Sequence, residues 1–104
     1  MALLSDADIE QGLADLPGWT REGGVIRKQF TFGSFPEAVA FVNSLVPEAE
    51  AADHHPDLTI NYKRVTVEYS THSEGGLTAK DLAGARMAEA KASDLRSRQR
   101  PPAV

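Results

Sequence analysis

Cysteine is absent from the 104 residues. That removes disulfides, zinc-thiolate centres and thiol nucleophiles, and it fits a reducing compartment. Basic excess is missing as well. Eleven Lys and Arg stand against 15 Asp and Glu, a formal net charge of −4 at pH 7. No overall field therefore draws nucleic acid or an anionic membrane to the chain. No apolar run approaches the roughly 20 residues needed to span a bilayer. The stretch Met1 to Asp6 has no basic cluster and meets an acid at once, unlike a secretory leader. A cytoplasmic protein is expected. Internal repeats and linkers are lacking too, and 104 residues leave no room for a second domain. Residues 1–104 are read as one domain with a modest core.

What is present begins with three helix starts of one kind. Ser5-x-x-Asp8, Ser34-x-x-Glu37 and Thr78-x-x-Asp81 each set a hydroxyl at the N-cap and an acid at N3. The hydroxyl accepts from an orphan amide, and the acid favours the positive end of the helix. Asp is shorter than Glu, so reciprocal capping is weaker at Asp8 and Asp81. The first helix buries Ile9, Leu13 and Leu16, and Pro17-Gly18 stops it. The second has its stripe at Phe35, Ala38, Val42, Leu45 and Ala49, with a kink or break expected near Pro47. The third starts near Ala79 and is rich in Ala, with Leu82, Ala85, Ala92 and Leu95 on one side.

Strand signals lie between the helices. Trp19 to Arg21 and Val25 to Phe32 flank Glu22-Gly23-Gly24, a hairpin-type turn. Ile26, Phe30 and Phe32 share a face, with Lys28 as an exception. Leu58, Ile60 and Tyr62 alternate with polar residues, as do Val65, Val67 and Tyr69. Both runs read as half-buried strands with a tight turn near Lys63-Arg64, and Tyr62 is assigned to the core. Trp19 is assigned to packing. The order α-β-β-α-β-β-α implies an α+β fold: a four-stranded antiparallel sheet with helices packed on one face. Residues 96–104 are polar and end in prolines, which predicts a flexible tail.

The 3 histidines all fall between positions 54 and 72. His54-His55-Pro56 leads into the third strand, and His72 follows the fourth. A hairpin of those strands brings the two ends together at one end of the sheet. A lone histidine beside a strand is usually a surface or packing residue. Adjacent residues on a strand also face opposite ways, so an irregular junction is required for His54 and His55 to serve one pocket. Glu50 and Asp53 read as solvated acids, and Asp81 as the N3 acid of a cap. Three histidines can hold zinc with a water. This spacing lacks a helical i, i+4 pair, so it permits a metal without asking for one.

Glu50-Ala-Ala-Asp53-His54-His55-Pro56, then Tyr62, Val65, Thr71-His72, Gly76-Leu77-Thr78 and Asp81, resembles the signature of the pterin-4a-carbinolamine dehydratases. Gly18-Trp19 and Lys28-x-Phe30-x-Phe32-x-x-Phe35 are similar too, so the likeness covers roughly Ile9 to Ala90. Leu58 departs from it, because many members carry an aromatic there. Pro47 inside the second helix departs as well.

The resemblance implies a substrate, a 4a-hydroxytetrahydropterin left by an aromatic amino-acid hydroxylase, and a quinonoid dihydropterin as product. It implies His54, His55 and His72 as the site. His54 and His72 would form the acid/base pair while His55 holds and polarises the substrate. Imidazole suits both roles near neutral pH. Glu50 would orient an imidazole through Nδ1–H, and Thr71, Ser73 and the backbone around Pro56 would line the pterin. Asp81 would orient His72 or only cap its helix. Neither cofactor nor metal is expected, because proton transfer suffices. A homodimer or homotetramer is expected, since an open sheet leaves edges to cover and the family assembles so. Direct contact with nucleic acid or membrane is not expected. The rival readings are a non-catalytic dimerisation module partnering a transcription factor, as animal relatives do, and an enzyme of pterin-cofactor biosynthesis.

Overall fold

A computed structural model describes residues 3–99. Ser5 caps α1 (Asp6–Ala14), its side chain accepting from the Asp8 amide. Ile9 is buried, while Leu16 is buried in the turn beyond the helix. β1 (Thr20–Glu22) and β2 (Val25–Thr31) pair antiparallel, with Glu22 opposite Val25 across the Gly23-Gly24 turn. Ser34 caps α2 (Phe35–Ala52). β3 (Asp57–Asn61) and β4 (Arg64–Tyr69) form the second hairpin. A 3-10 turn (His72–Glu74) then leads to α3 (Ala79–Gln99).

The 4-stranded sheet runs β1-β2-β4-β3, antiparallel throughout. Ile26 and Phe30 on β2 and Val65, Val67 and Tyr69 on β4 are buried. They form a core with Phe41 and Leu45 of α2 and Ala85, Ala88 and Ala92 of α3. The opposite face is polar, with Arg27 and Glu68 paired across it at 2.7 Å. The α+β order and the one-sided helical layer match the sequence reading. Lys28, the polar interruption on β2, turns toward the helices and ion-pairs with Glu89, which also accepts from the Trp19 indole at 2.9 Å. An ion pair and a buried indole thus share one carboxylate.

Four expectations need correction. The α2 stripe centres on Phe41, which is fully buried, while Phe35 is exposed. α2 runs through Pro47 as one helix. The proline ring sits on the exposed side, where it removes one backbone hydrogen bond without disturbing the packed face. Tyr62 is not core: it lies in the β3–β4 turn with φ 55 and is 64% exposed. Ile60 is exposed as well, because β3 is an edge strand that α2 covers at Leu58 alone. Finally, α3 continues over Arg96 to Gln99, where a tail was expected, and Arg96 donates to the Thr31 carbonyl at 3.0 Å. Residues 100–104 of that tail lie outside the described residues.

Candidate active site

The junction between α2 and β3 is irregular, as two adjacent histidines require. Asp53 closes α2 in the left-handed region (φ 48, ψ 44), its amide reaching the Ala49 and Glu50 carbonyls. Asp tolerates that conformation better than most residues with a Cβ. The His54 amide also bonds the Ala49 carbonyl, at 3.2 Å. The chain therefore turns sharply, and the two imidazoles leave on different sides.

His54 goes inward. Its side chain is 10% exposed, and Nε2 lies 2.7 Å from Oδ1 of Asp81. Its ring stacks on Tyr69, with centroids 5.8 Å apart and planes 19° apart. Asp81 is completely buried. Its other oxygen accepts from the Thr71 hydroxyl at 2.7 Å and the Thr78 amide at 2.9 Å. The Thr71 hydroxyl has one proton, and Asp81 takes it. Thr78, 2.8 Å away, must then donate to Thr71. With Asp81 as a carboxylate, Nε2 of His54 is the donor to Oδ1, and Nδ1 has no hydrogen-bonding partner among the described residues. Asp81 is thus a reciprocal cap and an orienting group together. The imidazole it orients is His54, not His72.

His55 goes outward. Its Nε2, not Nδ1, lies 2.5 Å from Glu50 Oε2, and both side chains are mostly exposed. Together with Pro56 and Leu58 they border a shallow groove between α2 and β3. His72 and Ser73 lie exposed on the 3-10 turn. The His72 imidazole has no hydrogen-bonding partner among the described residues. Gly75 ends that turn at φ 74, a conformation that favours glycine, and the Thr71 amide bonds the Gly76 carbonyl at 2.9 Å. Carrying the β3–β4 register past Asp57 and Glu68 sets His54 opposite Thr71, one residue before His72. The structure therefore brings His54, Thr71 and Asp81 into one network, with His72 adjoining it in sequence. His55 and Glu50 form a separate exposed pair. Among the described residues, no three His, Cys, Asp or Glu side chains are grouped so as to hold a metal ion.

Behind His54 a cleft of about 210 Å³ opens between α2 and α3, bordered by Glu48, Tyr69, Lys80, Gly84 and Met87. Tyr69 was read from sequence only as a strand's apolar position. Burial, and then the charge of Asp81, push its hydroxyl up to about 12. The available signals were a phenol just before Ser70-Thr71-His72 and an isolated glycine, Gly84, in an Ala-rich helix. Nothing in the local sequence joins those two.

The model of the family described as "Pterin 4 alpha carbinolamine dehydratase" matches residues 2–91. A relative from Roseiflexus castenholzii, named "Putative pterin-4-alpha-carbinolamine dehydratase", is 58% identical over 81 residues, covering 78% of this chain and 87% of its own. One of the same name from Mycobacteroides abscessus is 52% identical over 83 residues, covering 80% and 88%. Among solved structures, a "transcriptional coactivator/pterin dehydratase from Brucella Melitensis" superposes with TM-score 0.84 at 35% identity, covering 86% of this chain and 98% of that one. A "pterin dehydratase-like protein" described as a RuBisCO assembly factor shares the fold, with TM-score 0.60 at 23% identity over 71% of this chain and 86% of that one.

Proposed function

The chain belongs to the pterin 4 alpha carbinolamine dehydratase family, and from that premise we propose that it dehydrates a 4a-hydroxytetrahydropterin to the quinonoid dihydropterin by histidine acid/base catalysis. The reaction breaks the C4a–O bond. The hydroxyl leaves as water once protonated, and a ring nitrogen gives up a proton. His54 serves as the base through Nδ1. The buried Asp81 carboxylate on its far nitrogen holds the ring in place for that transfer. His72, open to solvent on its turn, protonates the departing hydroxyl and recovers its proton from water. His55, braced by Glu50, holds and polarises the ring, while Thr71, Ser73 and the Pro56 backbone line it. Positioned proton transfer supplies roughly 10²–10⁴-fold, which suffices for a reaction that also proceeds unaided.

The observation that carries this reading is the 2.7 Å contact between His54 and a fully buried Asp81. An ionised acid is rarely placed in a core unless it is paired, and here the pair points its free imidazole nitrogen away from the acid. The test adds purified protein to carbinolamine generated by an aromatic amino-acid hydroxylase and follows its loss by absorbance. Wild type should speed the decay and the His54, His55, His72 triple-alanine variant should sit near background. Equal rates would refute the assignment.

A second reading has one observation in its favour: the printed description of the Brucella protein includes transcriptional coactivation. A partner role of that kind would survive in the triple-alanine variant, so one protein preparation separates the two. The reading also includes a homo-oligomer, supported by the exposed apolar residues Ile60 and Tyr62 along the β3 edge and Val46 on α2. Light scattering should give a mass well above the 11.2 kDa of one chain.

A further inference from the structure

We infer that Tyr69 and Gly84 are positioning residues for His54: the notch left by Gly84 in α3 seats the Tyr69 ring along the imidazole and fixes the plane in which Nδ1 meets the substrate. The inference rests on the dehydratase reading above and adds two residues to it, both acting through His54.

The bond to Asp81 leaves one freedom of His54 open. It is made by Nε2, on the far side of the ring from Cβ and close to the axis about which the imidazole plane turns. A single bond there sets where Nε2 lies and resists rotation of the plane only weakly. A flat neighbour resists it strongly. Tyr69 is that neighbour, its ring stacked on the imidazole with centroids 5.8 Å and planes 19° apart. The lone pair of Nδ1 lies in the ring plane, so a tilt of that plane misdirects the proton step.

Tyr69 is itself held firmly. It is 1% exposed and lies against Trp19, with centroids 6.3 Å apart. The flank of its ring fills the notch at Gly84, where a Cβ would lie 2.5 Å from Cε1, 2.6 Å from Cζ and 2.9 Å from Cδ1. Gly84 is the one glycine of α3 and stands between Ala83 and Ala85. Alanine there would favour the helix, so the glycine marks where the ring of β4 must come closest. Gly84 also stands three residues after Asp81, on the same face of the helix. One face of α3 therefore supplies both the acid on the edge of His54 and the seat for the ring on its flat side. The Tyr69 hydroxyl has no partner among the described residues. The role uses the ring, so phenylalanine should serve as well.

Three variants test this, each assayed at a temperature where it is folded. Tyr69→Phe keeps the ring and should hold kcat within about twofold of wild type. Tyr69→Leu removes the flat neighbour and should lower kcat roughly ten- to a hundredfold with KM within about twofold, the size expected from a misplaced reacting group. Tyr69→Leu combined with Gly84→Ala refills the notch, so it should melt above Tyr69→Leu while its kcat stays low. In NMR spectra without substrate, the His54 imidazole C–H protons should carry a ring-current shift that persists in Tyr69→Phe and disappears in both leucine variants. A double variant that recovers kcat along with stability would overturn the inference, marking the pair as packing alone. So would Tyr69→Leu turning over at the wild-type rate, or a loss of kcat in Tyr69→Phe, which would assign the role to the hydroxyl. Wild type that shows the ring-current shift but does not dehydrate carbinolamine would bring down the functional reading itself, and this inference with it.

Discussion

His54 and His55 are neighbours in the chain and opposites in surroundings. The His54 side chain is 10% exposed against an Asp81 side chain at 1%, whereas His55 and Glu50 are 55% and 70% exposed. Both pairs are short. The difference lies in what each acid does besides hold its histidine. Asp81 also caps α3 and secures Thr71, so its position is fixed by the fold. The Glu50 carboxylate has no other hydrogen bond or ion pair among the described residues, and water screens the pair. Contact distance alone does not rank the two. Burial and the number of simultaneous hydrogen bonds do.

Substitutions should widen or erase that contrast. Asp81→Asn removes the charge that three donors share, and it should cost about 3–4 kcal/mol of stability and lower kcat as well. Chemical denaturation and kinetics on the same preparation check both. Loss of stability with full activity would reduce Asp81 to a cap.

Tyr69 offers a pH test on the buried side. Burial, and then the charge of Asp81, push its hydroxyl up to about 12, above the ordinary tyrosine value of 10.0. The associated stability is therefore complete below pH 10, where folded and unfolded chains both keep the proton, and it is lost as pH rises toward 12. The loss should reach roughly 3 kcal/mol. Melting curves of wild type should fall more steeply than those of Tyr69→Phe across that window.

On the exposed side, Glu50→Gln should change stability by less than about 1 kcal/mol, with any kinetic effect confined to KM. A kcat loss as large as that of Asp81→Asn would erase the distinction.

Most of the fold was legible because its signals are local. Ser5, Ser34 and Thr78 marked the helix starts, and alternation on β2 and β4 marked the buried face. The edge was not legible: Leu58-x-Ile60-x-Tyr62 alternates as a half-buried strand does, but only the sheet order leaves β3 outermost. The site residues were visible as a histidine trio with nearby acids, yet the pairing of Asp81 was not. His54 and Asp81 are 27 positions apart, and only the β3–β4 hairpin and the start of α3 bring them together. Tyr69 stayed hidden because its strand position reads equally well as packing. Its missing partner is visible only in three dimensions.

The central claim is that His54, fixed by Asp81, moves the proton, and one side-by-side measurement tests it most directly. Carbinolamine decay is followed with wild type, His54→Ala and His55→Ala at equal concentration and saturating substrate. His54→Ala should lose most of the catalysed rate, up to the roughly 10²–10⁴-fold that positioned proton transfer supplies, when assayed at a temperature where it is folded, and it should melt below wild type because Asp81 is left buried without its partner. His55→Ala should keep its kcat and show a raised KM. A His54→Ala variant that turns over as fast as wild type, or a kcat loss confined to His55→Ala, would contradict the claim.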